Sequence, residues 1–511
     1  MSEHTRFVAP ARIIAALTAG SRVLGLVREA AYSFFFGIHP ALSSFRIAFM
    51  VPNLARRLFG EGAMASAFVP VFTDVLQKQG NARARELAGT AFGFLGACLI
   101  ALTILVQAGV GLAYLAAPSD TLLLTLVMMP YMVMICLAGF AGGMLNALNR
   151  FAVPAAAPIL LNLVLISALG VGGWVIGLNM RPLIYLVAAG VLLAGLLQFA
   201  SQVVEMRRAG CSPRLNFRWK DPDLRRILAL LGPMVIGLSA MQLNVLADNL
   251  IALFFVPDGR GPAVLGYAHM LYHLPQGIFG IALATAIFPL LSVQAARKDH
   301  AGLAQAFQSG IRVSLFIALP ASIGLIMLAH PIVALVYQHR GGQFDQTATG
   351  HVARTLTYYC LGLWAFSIQP ILARAFYALQ DTKTPVRISL ITVALNLALS
   401  IILVFPLQEA GIALATAITA ALQALWLSLA LYRRLPQVHW PTVLQAALKT
   451  AAATAAMAVF LYWAHTTPSL ANRSEAVQLA VAIPGGVAIF AITARVLRCA
   501  EIKELVSRAD R

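Results

Sequence analysis

The stretch SRVLGLVREAAYSFFFG, residues 21–37, lies in the first long apolar run of the chain, yet it carries Arg22, Arg28 and Glu29. A helix needs about 20 mostly apolar residues to cross the hydrocarbon core. A charge at its centre costs about 2.5 to 3.5 kcal/mol even on the lenient insertion scale. At 1.5 Å per residue, Arg22 falls roughly 15 to 20 Å beyond the start of the run near Pro10, close to the bilayer middle. A guanidinium at that depth has to face a wet cavity or a partner, so the stretch reads as a membrane helix that also carries function.

The rest of the chain agrees. Of 511 residues, 60% are hydrophobic and 11% charged, with a mean hydropathy of +0.81, more apolar than a water-soluble fold of this length tolerates. The reading is an all-α polytopic membrane protein with 14 transmembrane helices, beginning near Pro10, Ala41, Leu87, Thr121, Val153, Pro182, Ile227, Val264, Leu303, Gln346, Pro385, Gly411, Pro441 and Ala476. Unbroken apolar runs lack the alternation of a barrel. The N-terminal run continues as a full span, so no cleavable signal peptide is expected. Cys98, Cys136, Cys211, Cys360 and Cys499 are scattered without a CxxC pair, which points to neither a disulfide framework nor a zinc site.

The net charge of +18 raises the question of nucleic acid, and its placement answers it. An even number of helices puts both termini on one side, and roughly 24 of the Lys and Arg residues fall in loops on that side, so the positive-inside rule makes it cytoplasmic. The excess charge is topology. No nucleic-acid partner is expected, and the chain is assigned to the cytoplasmic (inner) membrane with both termini inside.

Loops are short except near 207–226, where a half-boundary would fall. FRIAFMVPNL with AFVPVF (45–72) resembles YAHMLYHLPQG with IFPLL (267–291), pairing Pro52 with Pro275 and Pro70 with Pro289, and NALNRFAVP (146–154) resembles YALQDTKTP (377–385). The expected organisation is a six-helix lobe at 1–209, a cytoplasmic linker at 210–226, a second six-helix lobe at 227–435, and at 436–511 a two-helix appendix with a tail. Parallel repeats are a transporter architecture, with a substrate path at their interface.

Five cations sit in the first two helices, Arg22, Arg28, Arg46, Arg56 and Arg57, against Glu29 and Glu61. Ion pairs cannot neutralise all five, and a buried positive surplus wants an anion. Arginine suits phosphate, because its planar fork grips two oxygens and stays charged. His269 and His273 have a metal-ligand spacing but no third ligand, and read as cavity lining. An embedded polyprenyl-phosphate enzyme would need a catalytic acid or base and clustered carboxylates, whereas Glu29, Glu61 and Asp248 lie on different helices. No metal and no organic cofactor is expected. Asp248 is a lone carboxylate among apolar residues. With Asn396, Ser400 and Thr416 it forms a candidate cation site, so Na+ or the membrane potential is the expected drive.

SRVLGLVREA, VPNLARRLFGEGAMASAFVP, LNALNRFAVPAAAPILLN and FYALQDTKTP resemble the signature stretches of the MurJ (MviN) lipid II flippases of the MOP exporter superfamily, over nearly the whole chain. The resemblance implies two six-helix lobes around a central cavity, with helices thirteen and fourteen forming a groove for a lipid tail. It implies that Arg22, Arg28 and Arg56 line the cavity with Glu61 positioning them, and that the anion is the pyrophosphate of an undecaprenyl-linked peptidoglycan precursor. Ser43 stands where the family often has an acidic residue, and His269 where an Asp-Arg pair often begins. Membrane lipids and the cell-wall synthesis machinery are the further partners. The competing readings are a flippase for another undecaprenyl-pyrophosphate oligosaccharide, a multidrug exporter of the same superfamily, a membrane-embedded enzyme, and a scaffold.

Overall fold

The computed structural model describes residues 3–60, 63–210, 216, 218–502 and 504, and every regular element among them is helical. The first element, α1 (Glu3–Phe36), is followed by α2 (Pro40–Ala55), which starts with His39 accepting a hydrogen bond from the Ala41 N–H at 3.2 Å and with proline in its first turn, where no N–H is needed. A π turn, Arg56–Gly60, closes α2. Then come α3 (Ala63–Ala116), α4 (Asp120–Met128), α5 (Tyr131–Ala147), α6 (Ala152–Gly170) and α7 (Met180–Arg208). Within α3 the helical path breaks at Gly80, whose φ of +82° suits a residue without Cβ.

Beginning inside the 210–226 stretch, α8 (Pro222–Phe255) is followed by α9 (Gly261–Pro275), a second π turn (Gln276–Ile281), α10 (Ala282–Ala296), α11 (His300–Met327), α12 (Ala329–Tyr337), α13 (Gln346–Cys360), α14 (Leu363–Ala378), α15 (Lys383–Leu407) and α16 (Glu409–Arg434). The last are α17 (Trp440–Thr466), the short α18 (Pro468–Ala471) and α19 (Glu475–Val496).

By length and composition, eight of the described helices can cross a membrane, or ten when the bent pairs α4–α5 (43°) and α13–α14 (42°) each count as one span. Three other helices lack that uninterrupted apolar length for local reasons. The charges Arg22, Arg28 and Glu29 interrupt α1, and the π turns cut α2 and α9 short of about 20 residues. Cys98, Cys136, Cys360 and Cys499 form no disulfide among the described residues, and Cys211 lies outside them.

Helix α15 is polar on its hidden side. In α15 the buried positions include Thr392, Asn396 and Ser400 at i, i+4 spacing, while Leu390, Ile391, Ile402 and Phe405 are exposed. A membrane helix gains nothing by hiding leucine from lipid, so it turns hydroxyls and amides inward, where they find partners.

The chain divides into two compact units, Met1–Leu246 and Ala247–Arg511, and the division falls inside α8. In the first unit the linker end is fastened to α3. Asp221 caps α8 by accepting from the Asp223 N–H at 2.9 Å, and Arg83 grips Asp221 and Asp223 at 2.8 and 2.9 Å, with Arg218 paired to Glu86. In the second unit α17 and α19 pack on α11 and α12 through Phe316, Met457, Leu461, Leu479 and Phe490. Gly485 lets α19 approach Phe460, since a Cβ there would lie 2.4 Å from its ring.

Beyond α19 the chain is clasped to α11. Arg312 meets the buried Glu501 with Nε at 2.6 Å, and the Ser309 hydroxyl donates to Glu504 at 2.6 Å. Removing one partner of a buried ion pair costs about 3 to 5 kcal/mol because the other charge stays behind. Arg312→Ala is therefore expected to release the segment after Val496, seen as faster amide exchange at residues 497–502 with α17 unchanged. Unchanged exchange there would show that the apolar contacts alone hold it.

Candidate functional site

The arginines of the opening stretch are organised by one carboxylate. Glu29, 5% exposed, takes Arg28 Nη2 on one oxygen at 2.9 Å and Arg46 Nη2 on the other at 2.5 Å, tying α1 to α2. Arg28 spends its second amino group on Asn162 of α6, donating to Oδ1 at 2.9 Å. Asn162 in turn donates to the Ser21 carbonyl at 3.0 Å. The Arg28 guanidinium also stands 5.8 Å from the centre of the Tyr32 ring, a cation–π distance. Arg28 is thus locked from three sides while one negative charge is shared between two positive ones.

Arg56 and Arg57 also meet neutral groups. Arg56 donates from Nε to Asn53 Oδ1 at 3.2 Å, and Arg57 donates to Gln242 Oε1 at 2.9 Å. Among the described residues Arg22 has no hydrogen-bond or ion-pair partner. A neutral acceptor orients a guanidinium without cancelling its charge. Glu61 lies outside the described residues. Ser43 is fully buried in the core of α2, so it supports the helix from behind. His269 is an exposed residue of α9 in the second unit, its ring centre 3.9 Å from that of His273, at the edge of an aromatic stack of Tyr272 with Tyr359.

The second unit gathers the four residues of the candidate cation site from three helices. Asp248 of α8 accepts from the Ser400 hydroxyl of α15 at 3.0 Å. Asn396, one turn before Ser400, donates from Nδ2 to Thr419 at 3.2 Å and to Thr416 at 3.4 Å, both on α16. All the named groups are half-buried or buried. No group of three or more His, Cys, Asp or Glu fit to hold a metal occurs among the described residues, so a cation here would rest on one carboxylate and neutral oxygens, a donor set for a hard monovalent ion.

The sequence reading overlooked Asn162, Asn53, Gln242 and Thr419. Asn162 had a signal, as the lone amide in PAAAPILLNLVLIS. Gln242 and Thr419 had none, because their partners lie 185 and 23 residues away in the chain.

Long apolar helices, a buried arginine cluster and a separate carboxylate–hydroxyl cluster fit a membrane transporter. The family model of the lipid II flippase MurJ matches residues 32–473, and the chain belongs to that family. It is 35% identical over 463 residues to a probable lipid II flippase MurJ of Rhizobium tropici, covering 88% of this chain and 85% of that protein. It is 30% identical to the lipid II flippase MurJ of Burkholderia cenocepacia, covering 88% of each. Among solved structures, a lipid II flippase MurJ in an inward closed conformation is similar in fold, with TM-score 0.78 at 24% identity over 96% of this chain and 99% of that one. An inward-facing multidrug resistance MATE transporter of the MOP superfamily is similar with TM-score 0.65 at 15% identity, over 82% of this chain and 97% of its own.

Proposed function

We infer that this protein moves lipid-linked peptidoglycan precursor, lipid II, from the inner to the outer leaflet of the cytoplasmic membrane by alternating access. The observation that supports it most is the Glu29 bridge, which fixes Arg28 and Arg46 while leaving net positive charge for a pyrophosphate. In this reading the helices make fourteen spans, as two parallel six-helix lobes at 1–209 and 227–435 joined by the 210–226 loop, around a central cavity, with both termini cytoplasmic. Arg22, Arg28, Arg46, Arg56 and Arg57 bind the head group, with Glu61 and His269 assigned to the same task and the buried Ser43 backing α2 behind them. Residues 436–511 supply the groove for the polyprenyl tail. Asp248, Asn396, Ser400 and Thr416 bind the coupling cation.

The MATE likeness favours one alternative, drug export. Drug exporters generally stop at twelve helices and have no use for an arginine-rich cavity, and α17 and α19 lie beyond that count. Contact with the cell-wall synthesis machinery belongs to the same reading.

The test is complementation of a bacterium depleted of its own flippase, scored by whether lipid-linked precursor becomes accessible outside. Rescue by this chain is expected. Failure of a well-expressed chain to rescue, with rescue instead in a strain lacking a different undecaprenyl-pyrophosphate flippase, would move the assignment to that substrate.

A further inference from the structure

The paired prolines of the two half-sequences are followed by the same structural event. After Pro52 the helix gives way to the π turn Arg56–Gly60, and after Pro275 to the π turn Gln276–Ile281. Proline removes one helical N–H and crowds the preceding turn. The first unit repairs part of this, with Asn53 Nδ2 donating to the Phe49 carbonyl at 3.0 Å. Single π turns within helices are uncommon and recur at functional places.

Each π turn also bears a glycine pressed on a neighbour in its own unit. A Cβ on Gly60 would stand 3.3 Å from the Cys136 Cα, and one on Gly280 would stand 3.2 Å from the Ser367 Cα. Gly139 answers Gly60 from the other side, with its own Cβ position 3.0 Å from the Gly60 backbone. Those neighbours are α5 and α14, each the second half of a bent pair, and the bends are 43° and 42°. Each unit therefore sets a proline-initiated π turn against a broken helix through a glycine contact with no side chain between.

We propose that these two π turns are matched hinges, with Gly60 and Gly280 as their bearing points, at which the helix beyond each turn changes its rotational phase during transport. A π turn holds one residue more than an α turn, and one residue is about 100° of helix rotation. Converting one form into the other therefore swings whatever lies on or beyond the turn. Arg56 and Arg57 lie on the first turn, whereas Arg46 lies before it, held by Glu29. The hinge moves two arginines relative to a fixed pair, which is how a head group would be passed on. This purpose rests on the flippase reading, whereas the motion does not, so the test reads distance first and flux second.

Removing Phe59 deletes the additional residue and leaves an α turn that keeps the flanks in their present phase. Spin labels at the exposed positions Gln77 and Asn146, with Cys98 and Cys211 replaced by serine, report α3 beyond the turn against the end of α5. The intact chain in liposomes is expected to show two distance populations and the Phe59 deletion one. Gly60→Ala, which keeps chain length and adds one methyl at the bearing, is expected to shift the ratio of the two. Labels at Val293 and Tyr377 test the second hinge with Gly280→Ala. Flipping of a lipid II analogue should fall at least tenfold in the deletion. A single population in the intact chain, or unchanged distances in both Gly60→Ala and the deletion, would overturn the hinges. If the deletion fails to fold, Gly60→Ala decides alone. Two populations in a chain that flips no lipid II would keep the hinges and sink the substrate.

Discussion

Arg28→Ala is expected to abolish detectable lipid II transport while leaving folded protein in the membrane, and Glu29→Gln is expected to lower the unfolding midpoint while keeping head-group binding. Arg28 is held by Glu29, Asn162 and the Tyr32 ring. A pre-oriented fork loses little entropy on meeting a pyrophosphate. Truncating one partner of a desolvated, hydrogen-bonded charge pair costs about 2 to 5 kcal/mol, which is about 30-fold or more in affinity. The fold tolerates the loss, because Glu29 keeps Arg46.

Glu29→Gln instead leaves two buried guanidinium groups facing a neutral amide, a change in the range of about 3 to 5 kcal/mol against folding. Binding of a fluorescent lipid II analogue to purified protein and its thermal unfolding midpoint separate the two effects. Arg28→Lys should recover only part of the binding, since a point charge replaces the fork. Wild-type binding by Arg28→Ala would remove this residue from the head-group site. An unchanged midpoint in Glu29→Gln would mean that the bridge does not hold α1 to α2.

Asp248→Asn is expected to slow turnover at least tenfold without weakening head-group binding, and wild-type transport is expected to depend on Na+ or on membrane potential. A pyrophosphate moving outward carries about two negative charges down an inside-negative potential, worth about 2.3 kcal/mol per charge per 100 mV, unless the arginines move with it. The empty return is then the step that needs help. Asp248 and Ser400 are in contact, with Asn396, Thr416 and Thr419 gathered one turn away. The asparagine keeps an oxygen for the Ser400 hydroxyl, so the packing stays and only the charge goes. Rates in liposomes with imposed Na+ gradients and potentials provide the measurement. An unchanged rate in Asp248→Asn would take the residue out of the cycle. Indifference of the wild type to both gradients would leave the return step to some other drive.

Local chemistry made much of this legible beforehand. Apolar length and the charges set within the first apolar run follow from residues near one another in the chain, because the cost of a charge in hydrocarbon depends on position and not on partner. The half-repeat was visible for the same reason, as proline at matching positions constrains its own turn. Asn396 and Ser400 could be placed on one face by their spacing alone.

Tertiary structure decided the pairing. Arg57 reaches Gln242, 185 residues on, a partner that i, i+4 spacing does not supply. Glu29 is a neighbour of Arg28 in the chain, but its hold on Arg46 needs α1 and α2 side by side. The π turns and the glycine contacts were hidden as well, since a proline announces a break without saying whether a bent helix lies against it. Which carboxylate meets which guanidinium depends on how far each helix is rotated about its axis, and that angle is set by packing against neighbours far away in sequence.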